Sequence, residues 1–231
     1  MNKVELMEKY KDEKVLCISN FHLDSWLKAK KNSVKALLKG IMCHGYFDYR
    51  YNAEIDYNTK QVIPYVVLKH KDKYFVTTRK KGDSRLVGGS SIAVGGHVNP
   101  CDVPALSRLS EPLVVIENCI ARELSEETTV ELDMIKSKEY VTTFIDESSD
   151  VSKVHACLLT VIELNTDEIE IKETDKLVGA WLNADEIHAK LDSFEGWSKI
   201  TIDLLGIKPT PVKKKSKKKV VDETVEDTAS E

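Results

Sequence analysis

The stretch from Gly95 to Val130 constrains this chain more than any other. It opens on Gly95-Gly96-His97-Val98-Asn99 and closes on Arg122-Glu123-Leu124-Ser125-Glu126-Glu127. The spacing of the second half is helical: Glu123, Glu126 and Glu127 stand three and four residues apart, which puts their carboxylates on one helix face. Like charges at that spacing oppose helix formation by roughly a few tenths of a kcal/mol per pair. A divalent cation reverses the sign, because hard cations such as Mg²⁺ are bound by oxygen ligands. A solvated acidic face is the competing reading, and spacing alone leaves both open.

Length and composition bound what surrounds that helix. The chain has 231 residues, 42% of them hydrophobic and 31% charged, which suits one globular domain of generous size or one domain plus appendages. No run of eighteen apolar residues occurs, so no membrane-spanning helix is expected. Met1 to Tyr10 lacks an apolar core, so no secretory signal is expected either. The five cysteines, at 17, 43, 101, 119 and 157, have no metal-pair spacing and fit a reduced, cytoplasmic compartment.

Residues 1–53 read as an N-terminal appendage of a strand (Val15 to Ile18) and a helix (Asp24 to Leu38, with Gly40 at its end). His22 and His44 lack partner spacing and read as packing or surface residues. Residues 54–207 form the main domain. Gln61 to Leu68 and Tyr74 to Arg79 are β-rich around a turn at Lys71-Asp72-Lys73, which makes a hairpin. Arg79, Lys80, Lys81 and Arg85 then form a basic cluster suited to phosphate, with a solvated basic loop as the alternative. Ser91 to Gly96 reads as a third strand running into paired glycines, and Cys101 to Pro112 as a loop. Leu113 to Glu127 is the helix, with Val114, Ile116, Cys119, Ile120 and Leu124 as its apolar positions. Strands follow at Tyr140 to Ile145, Ala156 to Glu163 and Leu177 to Leu182. A helix starts at Asn183 and another spans Glu195 to Leu205. Trp181 and Trp197 read as core. Residues 208–231, with six lysines between Lys213 and Lys219 and an acidic end, read as a disordered tail. The body before it carries 27 basic and 33 acidic residues. The tail's attraction to nucleic acid would be weak and salt-sensitive, and no nucleic-acid-binding function is assigned.

Gly96, five residues, Asp102, then Arg122-Glu123-Leu124-Ser125-Glu126-Glu127 and Val130 resembles the signature of the Nudix hydrolases. That signature reads Gly, five residues, Glu, seven residues, Arg-Glu-aliphatic-any-Glu-Glu-any-Gly-aliphatic. Three positions depart from it. Asp102 stands in place of Glu, nineteen residues instead of seven separate it from Arg122, and Thr129 replaces the Gly that ends the helix. A β-branched residue disfavours the left-handed cap that such a glycine adopts. Gln61 to Tyr65, Arg85-Leu86, Ser91-Ile92, Gly95 to Asn99, Val154-His155 and Glu195-Gly196-Trp197-Ser198 are similar to a microbial branch with this lengthened loop.

The resemblance implies a Nudix-like α/β/α sandwich around a mixed sheet, of α/β (α+β) class. It implies hydrolysis of a diphosphate bond in a nucleoside-diphosphate-linked small molecule, with Mg²⁺ or Mn²⁺ held by Glu123, Glu126 and Glu127 and by the Gly96 carbonyl. Arg122 and Asp102 would be structural partners within the signature. Arg79, Arg85 and His97 are candidates for substrate phosphate. The general base stays open between Glu126 and Glu127, with Glu117 and His97 behind them; His97 reads first as a loop-shaping residue. The resemblance also allows a homodimer. A non-catalytic binding module of the same fold, sensing a nucleotide-type ligand, is the alternative. An isomerase of the isopentenyl diphosphate type shares the fold, but no matching Cys, His and Glu arrangement is visible.

Overall fold

A computed structural model describes residues 2–23, 34–80, 88–105, 107 and 109–211. Its elements are α1 (Lys3–Tyr10), β1 (Lys14–Ser19), α2 (Val34–His44), β2 (Tyr46–Tyr49), α3 (Arg50–Ala53), β3 (Thr59–His70), β4 (Lys73–Arg79), β5 (Ser90–Ser91), β6 (Val94–Gly95), α4 (Pro112–Glu127), β7 (Ile135–Phe144), β8 (His155–Leu164), β9 (Leu177–Leu182), α5 (Ala184–Ala189) and α6 (Gly196–Leu204). Arg85, the basic tail beyond Pro211 and the first half of the helix expected from Asp24 lie outside the described residues.

The hub is β3. Almost every one of its residues is buried, as befits a strand covered on both faces. One edge pairs in parallel with β8, from Gln61 opposite His155 to Lys69 opposite Glu163. The other edge is shared in succession by β1, β6 and β4, all antiparallel. The outer strands β2, β7, β9 and β5 pair antiparallel with β1, β8, β4 and β4 respectively. The nine strands therefore make one mixed sheet.

Alternation along β3 and β8 sorts side chains to two faces. Val62, Val66, Leu158 and Ile162 pack with Leu37 and Ile41 of α2 and with Val115, Ile116, Cys119, Ile120 and Leu124 of α4. Tyr65, Val67, Cys157 and Leu159 pack with Ile187 of α5 and Ile202 of α6. Helices on both faces of a mixed sheet make an α/β/α sandwich. β1 and β2, from the first 53 residues, extend this sheet, and Leu16 and Ile18 join its first core. Trp181 packs edge-on against Phe75 and His70, and Trp197 against Tyr65 and Phe144.

Three local expectations change. Gly40 does not end its helix, which continues to His44. It is buried against β1, where an added Cβ would lie 2.9 Å from Ile18 Cδ1. The strand expected over Ser91 to Gly96 is broken at Ile92-Ala93 into β5 and β6, which pair with different neighbours. β7 starts at Ile135, five residues earlier than Tyr140, and absorbs two register shifts against β8; its first half is largely exposed, so it carries little apolar signal.

Residues singled out as similar to one Nudix branch meet in a polar knot that fixes the β5 to β6 corner. The Tyr65 hydroxyl shares hydrogen bonds of 2.9 Å with both Ser91 Oγ and Ser198 Oγ. The Ile92 amide donates to Ser198 Oγ at 3.1 Å. The corner leads directly into Gly96. No helix among the described residues is long and apolar enough to cross a membrane. Leu158, fully buried in β8, should lose about 2–5 kcal/mol on substitution by Ala, read from urea unfolding.

Candidate functional site

Helix α4 has proline at its start and buries Val115, Ile116, Cys119, Ile120 and Leu124. Of the apolar positions expected, Val114 alone is exposed. Burial of that stripe turns Arg122, Glu123, Glu126 and Glu127 away from the core, toward the loop that leaves β6. Gly96 lies against Glu123 so closely that an added Cβ would sit 1.9 Å from the carboxylate carbon. Only a residue without a side chain lets that backbone approach.

Arg122 joins loop and helix. Its Nε donates to Asp102 Oδ1 at 2.9 Å and its Nη2 to Asp102 Oδ2 at 3.0 Å, a two-pronged ion pair. Nη2 also donates to the His97 carbonyl at 2.9 Å. Asp102 is almost fully buried; its Oδ2 accepts from the Asn99 amide, and its backbone carbonyl accepts from Asn118 of α4, both at 2.8 Å. The shorter Asp side chain thus reaches Arg122 from a short 3-10 turn over Pro100–Asp102. Arg122 Nη1 turns the other way and meets Glu123 Oε1 at 2.8 Å and Glu126 Oε2 at 3.4 Å. Its hydrogen bonds to Asp102 push the guanidinium pKa further up, so it remains charged.

The helix ends without a left-handed residue. Thr128 caps it in extended conformation, its hydroxyl donating to the Leu124 carbonyl at 2.7 Å. The freed backbone is taken up by the segment 170–172: the Thr129 amide donates to Glu170 O at 3.0 Å and the Lys172 amide to Glu127 O at 2.8 Å. A strand-like pairing therefore replaces the glycine cap.

The three carboxylates differ in environment. Glu126 is the most exposed, at 57% of its side chain. Burial raises the pKa of Glu123, against the lowering effect of Arg122. Burial, then the charges of Glu123 and Glu173, push Glu127 up to about 7, with Arg79 pulling the other way. Among the described residues the three do not converge on one point, since the set of acidic, His and Cys side chains whose ligand atoms lie within 4.8 Å of one another is Glu54, His97 and His155. Arg122 holds Glu123 and Glu126, while the like charges of both act against ionised Glu127.

Arg79 ends β4, and its Nε pairs with Glu195 Oε1 at 3.1 Å. Glu117 is engaged by the Tyr140 hydroxyl at 2.8 Å and by Lys138 at 3.3 Å, and the first of these lowers its pKa; a carboxylate so occupied is a poor proton acceptor. A cleft of about 550 Å³ runs between α4 and β7, past Glu117, Ser125 and Lys138. None of the three glutamates lines it. The imidazole of His97 points away from the glutamates, its Nε2 3.3 Å from His155 Nε2. Burial lowers the pKa of both rings. Sequence reasoning did not join His97 to Glu54 and His155, which lie 43 and 58 residues away with no local pattern linking them.

Two outcomes follow from this geometry. Asp102→Asn leaves a half-buried Arg122 short of its partner and should destabilise the fold by about 2–4 kcal/mol, less than for a wholly buried pair because Arg122 reaches water; chemical denaturation reads it. Glu127 has a native pKa near 7 and an unfolded value near 4.3, so the native state binds more protons between them. Stability is then unpenalised below about pH 4, falls as pH rises toward 7, and carries the full penalty above it. In protein freed of divalent ions, Glu127→Gln should gain roughly 1–3 kcal/mol at pH 8 and almost nothing at pH 4, measured by thermal unfolding at both.

The chain's similarities match this geometry. The family model described as NUDIX domain matches residues 60–205. Protein YmaB of Bacillus subtilis (strain 168) is 30% identical over 161 residues, covering 68% of this chain and 76% of YmaB. The crystal structure of Tm1382, provisionally classed as a Nudix hydrolase, is 26% identical with a TM-score of 0.66, over 84% of this chain and 98% of that one. The match to the domain model takes in more than half of the chain, including β3, the glycine loop and all of α4, and the protein belongs to the Nudix family.

Proposed function

We propose that the protein hydrolyses a diphosphate bond in a nucleoside-diphosphate-linked small molecule, with Mg²⁺ or Mn²⁺ held by Glu123, Glu126, Glu127 and the Gly96 carbonyl. Family membership implies hydrolysis of a pyrophosphate bond. The observation that carries the finer reading is the unfavourable state of the three glutamates. They crowd one face and two are forced upward in pKa, a charge arrangement that works against folding and that a divalent cation relieves. The donor set fits such an ion: carboxylate oxygens, plus a glycine whose backbone is pressed against one of them.

A cation held there would supply charge neutralisation for the pyrophosphate and a lowered pKa for the attacking water. The chain does the rest. Arg122, anchored on Asp102, fixes the loop carrying Gly96 relative to the helix. Glu126 or Glu127 would take the proton from the water. Arg79, whose charge already acts on Glu127, and Arg85 offer guanidinium groups to the phosphates; His97 supports the loop. We place residues 54–207 as the catalytic domain; residues 1–53 add β1, β2 and α2 to its sheet and first core, and residues 208–231 follow as a C-terminal appendage whose attraction to nucleic acid would be weak. A cytoplasmic site of action fits the cysteine usage. A homodimer is compatible with this reading.

Turnover of a panel of nucleoside triphosphates, dinucleoside polyphosphates, ADP-ribose, NAD-like compounds and sugar nucleotides with Mg²⁺ or Mn²⁺ tests the proposal. Glu126→Gln and Glu127→Gln should each reduce kcat by roughly 10²–10⁴-fold while leaving the circular dichroism spectrum intact. A compound that binds and stabilises the chain with no turnover would instead assign a sensing role.

A further inference from the structure

Residue 97 faces two ways. Its carbonyl accepts from Arg122 on the glutamate side, while its imidazole reaches the first residue of β8. There, ring nitrogens of His97 and His155 and a carboxylate oxygen of Glu54 all lie within 4.8 Å of one another. The three come from different elements: the loop after β6, the start of β8 and the residue following α3. We propose that Glu54, His97 and His155 form a second cation site, separate from the three glutamates of α4, that takes a borderline divalent transition metal of the Zn²⁺ type.

The donor chemistry selects the metal. Two imidazoles and a carboxylate suit Zn²⁺ and its neighbours, whereas Mg²⁺ favours oxygen and water. The spacing agrees. Two histidine nitrogens on a tetrahedral Zn²⁺, at about 2.0–2.1 Å each, stand about 3.3–3.4 Å apart, and the Nε2 atoms here stand 3.3 Å apart. The second nitrogen of His155 is already engaged: the Val151 carbonyl lies 2.6 Å from Nδ1. A carbonyl can only accept, so the proton of neutral His155 sits on Nδ1 and the Nε2 lone pair points toward His97, the arrangement that orients a ligating histidine. Arg50 Nε donates to Glu54 Oε1 at 3.1 Å, and its charge is shared with Glu13, so that bond leaves the second Glu54 oxygen available. Directly across the parallel ladder from His155 is Gln61, wholly buried and with neither amide atom hydrogen-bonded. A water completing a four-coordinate shell would bring a polar partner into that neighbourhood.

The rival account is a plain hydrogen bond from His97 Nε2–H to His155 Nε2. The experiment uses the full chain carrying Glu123→Gln, Glu126→Gln and Glu127→Gln, with the exposed thiols of Cys43 and Cys101 changed to Ser. It therefore does not depend on hydrolysis, and its failure leaves the function proposed above untouched. Titration with Co²⁺ should give one equivalent with the intense visible absorption of a tetrahedral site, bleached by Zn²⁺. Glu54→Gln should weaken Co²⁺ binding at least tenfold and His155→Gln should remove it. A folded chain that binds no Co²⁺ or Zn²⁺, or an equivalent unchanged by Glu54→Gln and His155→Gln, overturns the proposal. Should His155→Gln fail to fold, Glu54→Gln decides, together with the nitrogen shifts of the two imidazoles in the unsubstituted histidine background. A proton on His97 Nε2 that persists in Zn²⁺ assigns the plain hydrogen bond.

Discussion

The two-pronged contact between Arg122 and Asp102 is the interaction on which the rest of the site depends. Through it a single guanidinium binds the loop's acid, the His97 carbonyl and two glutamates of its own helix. Removing the loop would leave Arg122 among carboxylates with nothing to set its direction. Removing Arg122 would leave a buried Asp102 and a cluster of like charges. The pair ties the loop that carries Gly96 to the helix that carries Glu123. It also explains how a twelve-residue lengthening between the two signature halves is tolerated: Asp102 and Arg122 meet in space regardless of the chain between them.

The acidic face of α4 carries a cost to stability. α4 follows the ordinary logic of an amphipathic helix on one side, and its carboxylates on the other side oppose one another. Such local conflict with folding is expected where a protein does its work. His97, His155 and Gln61 form another polar concentration, on the imidazole side of residue 97, built from a loop and two strands instead of a helix.

Much of the fold was legible because its signals are local. The alternation of β3, the apolar run of β8 and the stripe of α4 each lie within a short window. The glutamate face was legible for the same reason, since helical geometry alone places residues three and four apart together. What could not be read depends on distant neighbours. Gly40 looked like a helix stop because the close approach of Ile18 is invisible in sequence. Ser91 to Gly96 looked like one strand because nothing local says that its halves pair with different partners. Thr129 looked like a defect because residues 170–172, which replace the missing cap, come some forty positions later. The Glu54, His97 and His155 cluster is the extreme case, assembled from three elements.

The parallel pairing of β3 with β8 has a consequence for the order in which this molecule assembles. The two strands are roughly ninety residues apart in the chain, and the whole of α4 lies in the segment between them. Closing so long a loop has an entropic cost before its contacts reward it. The acidic face acquires a fixed neighbour only when that loop has closed and residues 170–172 have docked on the end of α4. A metal ion held there, as proposed, would therefore meet a finished site late in folding and act as a lock on the native state, not as a template for reaching it.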